Sequence, residues 1–256
     1  MEPRLAIVGL VVGLLIGISG VGSGSLTAPL LLFLGIDPAT VVGSDLGFGL
    51  VTKSAGVGFY VRERRVRWRW VGLLAAGSLP GAVAGSVLVA LLERHGDWIR
   101  AGIAGMLVVT SATALGLELW RRHTGAPVAA GPRGEPRTAV VPLVGLAVGL
   151  AAGATSVGGG SLVDVALVLF SPLSGAEIVG TGIAHGILLS TVASLVHWHA
   201  GTIYPALVLN LSLGSIPGVL LGGRLACRFP SRPLRRGILA LVLIGGLTAL
   251  TRSVSS

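Results

Sequence analysis

Lys53 is the only lysine in a chain that otherwise uses arginine, and it lies with Asp45 inside a long apolar run. A charge at the centre of an isolated membrane helix costs roughly 2.5–3.5 kcal/mol on insertion scales, so both groups are expected to face the interior or a cavity. The chemistry open to them there is binding: Lys53 attracting an anion while Asp45 tunes it or accepts a proton. The plainer alternative is snorkelling toward an interface. Eight residues apart on one helix, they stand about 12 Å from each other, too far for a direct pair. Asp164 and His185 are further polar groups within apolar runs. An imidazole titrates near neutral pH and can carry a coupled proton, although a hydrogen-bonded interior histidine fits the same position. His197 and His199 resemble interfacial residues beside Trp198, and their i, i+2 spacing does not put them on one helix face for a metal. Asn210 is a candidate for hydrogen bonding across helices. No Ser-His-Asp grouping, His-Glu-x-x-His motif or phosphate-binding loop occurs, so hydrolysis of lipid, protein or ATP has no visible residues.

Two glycine and serine clusters interrupt apolar runs too long for one straight helix. The first is Gly20-Val21-Gly22-Ser23-Gly24-Ser25 and the second Ser156-Val157-Gly158-Gly159-Gly160-Ser161. In a bilayer, irregular backbone survives only where protein or a water-filled cavity satisfies its N–H and C=O groups, so two broken helices point to a shared internal site. The half-helices starting near Ser25 and Ser161 would aim free N–H groups and positive dipole ends into it, which favours anions. Ser23, Ser25, Thr27, Ser156 and Ser161 add hydroxyls, and glycine at 22, 24, 158, 159 and 160 lets backbone approach a ligand. Small residues also serve simply for tight helix packing in membranes. The expected substrate-binding set is Gly22, Ser23, Gly24, Ser25, Lys53, Gly158, Gly159, Gly160 and Ser161, with Asp45, Asp164 and His185 as candidates for proton coupling.

The elements that must position these groups are membrane helices. The chain is 52% hydrophobic and 11% charged, with a mean hydropathy of +0.88, more apolar surface than a water-soluble domain of 256 residues can hide. Apolar runs at roughly 5–34, 40–60, 70–92, 98–119, 138–170, 177–199, 202–226 and 234–251 leave room for about eight spans of some 20 residues. One cysteine, Cys227, excludes a disulfide framework and any multi-cysteine metal site; no cofactor is expected. The net charge of +9 comes from arginines between the runs, such as Arg62, Arg64, Arg65, Arg67 and Arg69, interleaved with Trp68 and Trp70. Beside apolar spans these read as basic cytoplasmic loops and interfacial tryptophans, and not as a nucleic-acid surface.

The halves match each other. Gly77-Ser78-Leu79-Pro80-Gly81 corresponds to Gly214-Ser215-Ile216-Pro217-Gly218 at a shift of 137, which also carries Gly43-Ser44 onto Gly180-Thr181. A shift of 136 carries Gly9, Gly13 and Gly17 onto Gly145, Gly149 and Gly153. Under the larger shift Asp45 falls on Gly182 and Lys53 on Ser190, so the halves are chemically unequal. The expected architecture is an all-α integral membrane protein of about eight transmembrane helices in two homologous four-helix repeats, each with a glycine-broken first helix. The repeats occupy 1–120 and 138–256, and the Pro- and Arg-rich stretch 121–137 is the linker. With the Arg62–Arg69 loop and the linker cytoplasmic, both termini are cytoplasmic and Asp37 is outside. Arg228, Arg232, Arg235 and Arg236 then run against the positive-inside bias, so either that loop is an exception or one broken segment re-enters instead of crossing.

These features resemble the sulfite exporter TauE/SafE family over nearly the whole chain. The resemblance rests on the duplicated halves, each opening Gly-x-x-x-Gly before a Gly-Ser-Gly-Ser-Leu or Gly-Gly-Gly-Ser-Leu cluster, and on the repeated Gly-Ser-x-Pro-Gly at 77–81 and 214–218. Pro29 after the first cluster stands where the second half has Val165, and Asp164 is a charged departure. The resemblance implies secondary transport of sulfite, sulfonates or related organosulfur anions across a bacterial cytoplasmic (inner) membrane by a multi-pass protein, with a proton as candidate coupling ion. The implied partners are a small anion and the lipid bilayer, with no nucleic acid; a homodimer is compatible with the sequence. An anion channel or a non-transporting membrane scaffold is the alternative, and an enzyme is not expected.

Overall fold

A computed structural model of the chain describes residues 3–19, 22–92, 96–124, 138–226, 237, 239–240, 242–248 and 251. Among these every regular element is a helix: α1 (Pro3–Ser19), α2 (Ser23–Phe33), α3 (Pro38–Arg62), α4 (Trp68–Leu91), α5 (Gly96–Thr124), α6 (Val141–Thr155), α7 (Ser161–Phe170), α8 (Gly175–His199) and α9 (Pro205–Ala226). Residues 242–248 are also helical. The segment 125–137 of the expected linker, Gly20 and Val21 of the first cluster, and the Arg228–Arg236 loop lie outside the described residues, and 121–124 continue α5.

Four helical stretches are long and apolar enough to cross a membrane: Trp68–Leu91, Gly96–Gly116, Gly175–His199 and Pro205–Gly222. The two longest apolar runs are each divided, as their clusters require. α1 and α2 part before Ser23, two residues earlier than the expected start near Ser25, and α6 and α7 part at 156–160. At 17 and 15 residues, α1 and α6 are each about 25 Å long or less, short of the roughly 30 Å hydrocarbon core, so each depends on its continuation. Ser156 closes α6 in a left-handed conformation, φ 59°, and Gly158 follows at φ 98°, a value that only glycine adopts cheaply.

Burial runs opposite to that of a soluble protein. Ser44, Asp45, Ser78, Ser86, Thr181, His185, Ser190, His197 and Ser215 are enclosed, whereas Ile7, Leu91, Leu143, Leu195, Leu209 and Leu213 point outward. Lipid is the solvent that makes such an exterior stable. Since Leu against lipid is as favourable as Leu against Leu, helices associate here through close backbone approach. α1 lies along α9 and α4 along α6 with glycine on both sides of each contact. A β-carbon on Gly13 would meet Ser215, and on Gly149 it would meet the carbonyl of Ser78. In return, one on Gly218 would meet Leu10 and one on Gly81 would meet Leu146. The apolar core proper, with Phe48, Leu31, Ile103, Leu107, Leu189 and Leu211, lies where α2, α3, α5, α8 and α9 converge.

The expected destabilisation is therefore position-specific. Gly149→Val should cost roughly 1–3 kcal/mol and lower the yield of monodisperse protein, because the atom in its way is backbone. Gly116→Ala, facing open space, should leave the thermal unfolding midpoint unchanged or slightly raised.

Candidate functional site

The two helix breaks meet. A β-carbon at Gly160 would stand 3.1 Å from the Cα of Gly22, and one at Gly24 would fall on the Ser156 carbonyl, 3.1 Å from the Cα of Val157. Any side chain at these glycines would drive the two crossing backbones apart. Ser23 and Ser161, the first residues of α2 and α7, are both buried at this crossing, and the Ser25 N–H donates to the Gly22 carbonyl at 3.2 Å. α2 and α7 thus begin beside one another, with the N-terminal ends that favour negative charge brought together.

Lys53 reaches this crossing from α3. Its Nζ donates to Ser190 Oγ of α8 at 3.0 Å, so the lysine touches the residue that replaces it under the 137 shift. Two glycines make room for it. A β-carbon at Gly186 would come within 3.1 Å of Lys53 Cδ and 3.2 Å of Cε, and one at Gly49 would lie 2.7 Å from Ser23 Oγ and 3.2 Å from Lys53 Nζ. The lysine head therefore sits next to the start of α2, half-buried and directed inward instead of snorkelling. Asp45, on the same helix, is 1% exposed and faces the hydroxyls of Thr27 on α2 and Ser156 at the α6 break.

The remaining candidates separate. Gly158 packs near Leu162 and Thr110, and Gly159 near Ala152 and Leu189, so these two line helix contacts. Asp164 lies on α7 with its Oδ1 beside Gly182 of α8, the position that replaces Asp45 in the second half. His185 is fully buried, its Nε2 2.7 Å from Ser78 Oγ of α4. His197 is not interfacial: it is wholly enclosed, with Nε2 donating to the Gly153 carbonyl at 3.1 Å and Nδ1 2.7 Å from Thr202 Oγ1. The α8–α9 turn folds back over it and removes it from the interface, while His199 stays exposed. Asn210 does not bridge helices either; its Nδ2 donates to the Ala206 carbonyl of its own helix at 2.7 Å.

Sequence reasoning missed the hydroxyl ties around the site. Ser78 binds His185, and Thr52 Oγ1 of α3 lies 2.9 Å from Ser215 Oγ of α9. The signal was present in the repeated Gly-Ser-x-Pro-Gly, whose serines are these two. Arg67 and Glu177 form an ion pair between the α3–α4 loop and α8, and Glu177 Oε2 also accepts from the Ser174 N–H at 2.8 Å.

An apolar exterior, a polar interior, two crossing helix breaks and one lysine at their junction define a multi-pass membrane transporter. The model of the family described as sulfite exporter TauE/SafE matches residues 5–249. The chain is 34% identical to the probable membrane transporter protein YjnA of Bacillus subtilis (strain 168), over 96% of this chain and 99% of that protein. It is also 24% identical to the probable membrane transporter protein YunE of the same organism, over 94% of each. The chain belongs to the TauE/SafE family. No solved structure matches it.

Ser78→Ala should leave His185 Nε2 buried without its partner, at a cost of roughly 1–3 kcal/mol. Thermal unfolding in detergent should show the loss, and Ser78→Thr should restore part of it if the hydroxyl is what matters.

Proposed function

We propose that the chain is a secondary transporter carrying a small anion, sulfite, a sulfonate or a related organosulfur anion, across a bacterial cytoplasmic membrane. The observation that carries this reading is Lys53 Nζ held by Ser190 beside the start of α2, at the crossing of the two broken helices. A tetrahedral or pyramidal oxyanion entering there would take donors from Lys53, from Ser23 Oγ and from first-turn N–H groups of α2 and α7. Gly22, Gly24 and Gly160 keep backbone within reach, and Ser190 holds the lysine head when no anion is bound.

Movement is proposed to come from the two repeats, 1–120 and 138–256, rocking about the crossing. Contacts that exchange under the 137 shift support this duplication. The Arg67 N–H donates to Thr181 Oγ1 at 3.1 Å, and the Tyr204 N–H donates to Ser44 Oγ at 3.0 Å. A β-carbon on Gly43 would meet the Thr202 carbonyl, and one on Gly180 the Arg65 carbonyl. These are the pairings expected of inverted units, placed at opposite ends of the bundle. The ion pair of Arg67 and Glu177 has no charged counterpart at the Tyr204 end, where Thr40 stands at the position matching Glu177. It would have to open for access from its side. Of the candidate coupling groups, Asp45 shares α3 with Lys53 and is enclosed beside the hydroxyls of Thr27 and Ser156, and its charge state sets the field at Lys53.

Uptake of ³⁵S-sulfite into proteoliposomes tests the reading. The native chain should give saturable flux, Lys53→Ala should lower it at least tenfold, and Gly186→Val, which crowds the lysine stem, should raise KM. Flux that does not saturate would indicate a channel. The absence of flux for sulfite and sulfonates by folded protein would overturn the proposal in favour of a scaffold.

A further inference from the structure

Three oxygen-bearing side chains near the crossing are buried together. The enclosed Asp45 carboxylate faces Thr27 Oγ1 and Ser156 Oγ, and no group outside these three hydrogen-bonds to any of them. Asp45 is 1%, Thr27 0% and Ser156 8% exposed. They come from three different elements: α3, the first turns of α2, and the break after α6. That break also ends a helix, and carbonyls at a helix C-terminus carry partial negative charge. A buried carboxylate with two neutral hydroxyls as its nearest partners is costly in lipid unless something neutralises it. Lys53 offsets it only across a distance along the helix, with its ammonium donating to Ser190 and not to the carboxylate.

From this geometry we infer that Asp45, Thr27 and Ser156 form a binding site for a monovalent cation of hard, oxygen-seeking character, sodium, which acts as coupling ion for the anion at Lys53. One carboxylate with two hydroxyls, all oxygen donors, suits a small alkali cation. Among the described residues no three His, Cys, Asp or Glu side chains gather as a transition metal would require. Its role in coupling rests on the transporter reading. With Asp45 bare, its charge offsets part of the field of Lys53, and a bound cation removes that offset. For charges about 12 Å apart in a partly screened interior, occupation of one site should tighten the other roughly tenfold, and the effect is reciprocal.

The test is binding of ²²Na⁺ to the purified full-length chain in detergent near neutral pH, with and without sulfite. The expected result is saturable binding displaced by unlabelled NaCl but not by choline chloride, and half-saturation at roughly tenfold lower Na⁺ when sulfite is present. Asp45→Asn should abolish binding, and Thr27→Val and Ser156→Ala should each weaken it by about tenfold. The two hydroxyl variants carry the test if Asp45→Asn does not give monodisperse protein. No ²²Na⁺ bound by monodisperse native chain, or binding unchanged in the variants, overturns the inference. So does a response to pH with no dependence on sodium, which would assign Asp45 to a proton. If sodium binds as expected while no anion is transported, the transporter reading fails and the cation site stands.

Discussion

In lipid, helices gain little from burying leucine against leucine, so the distance to which two backbones can approach decides whether they associate. In this chain that distance is set by glycine facing carbonyl, on α1 against α9 and on α4 against α6. Everything else hangs from these two contacts. They fix α4 and α9, whose Ser78 and Ser215 hydroxyls then reach His185 and Thr52 on the charged helices α8 and α3. They also hold the short helices α1 and α6 so that their broken ends meet in the interior and not in hydrocarbon. Replacing one of these glycines therefore disturbs more than a packing surface.

The crossing itself depends on a second constraint, that backbone groups freed by a helix break need a partner inside the protein. Two breaks placed against one another supply this for each other only in part. The α6 end turns back on itself, with the Ser156 N–H donating to the Ala152 carbonyl at 2.8 Å and the Val157 N–H to Thr155 Oγ1 at 3.2 Å. Ser161 Oγ, Thr27 Oγ1, Ser156 Oγ and the Asp45 carboxylate gather at the junction without a partner from outside it, while Ser194 Oγ, Ser212 Oγ and His185 Nδ1 are left without a partner on α8 and α9. Ionisable and polar groups gathered inside a membrane protein mark a functional position more than a packing one.

Much of this was legible in the sequence because membrane helices advertise themselves. Apolar runs gave the elements to within a few residues, and the two glycine clusters marked the breaks. The pairing of Lys53 with Ser190 was legible only as a numerical coincidence of the 137 shift; its meaning needed the fold, in which equivalent residues touch. His197 and Asn210 were misread for opposite reasons. The first lies at a helix end, which usually means an interface, but the following turn covers it. The second is a polar group in an apolar run, yet its own helix carbonyl satisfies it before any neighbour does. Hydropathy cannot separate these cases, because it registers position along a helix and not what folds back over it.

The inequality of the halves follows from where the lysine sits. In the proposed duplication, a residue that contacts its own equivalent lies on the symmetry axis, and Lys53 meets Ser190 there at 3.0 Å. A symmetric chain would place two ammonium groups at that distance in a site shielded from water, where like charges repel strongly. One lysine with a hydroxyl opposite keeps a single positive charge at the centre of the bundle and gives it a neutral resting partner. Asp45 is likewise replaced, by Gly182, and the second half's carboxylate appears instead at Asp164 on α7, alongside that glycine. The fold can thus be two-fold in its backbone contacts only if its charges are not.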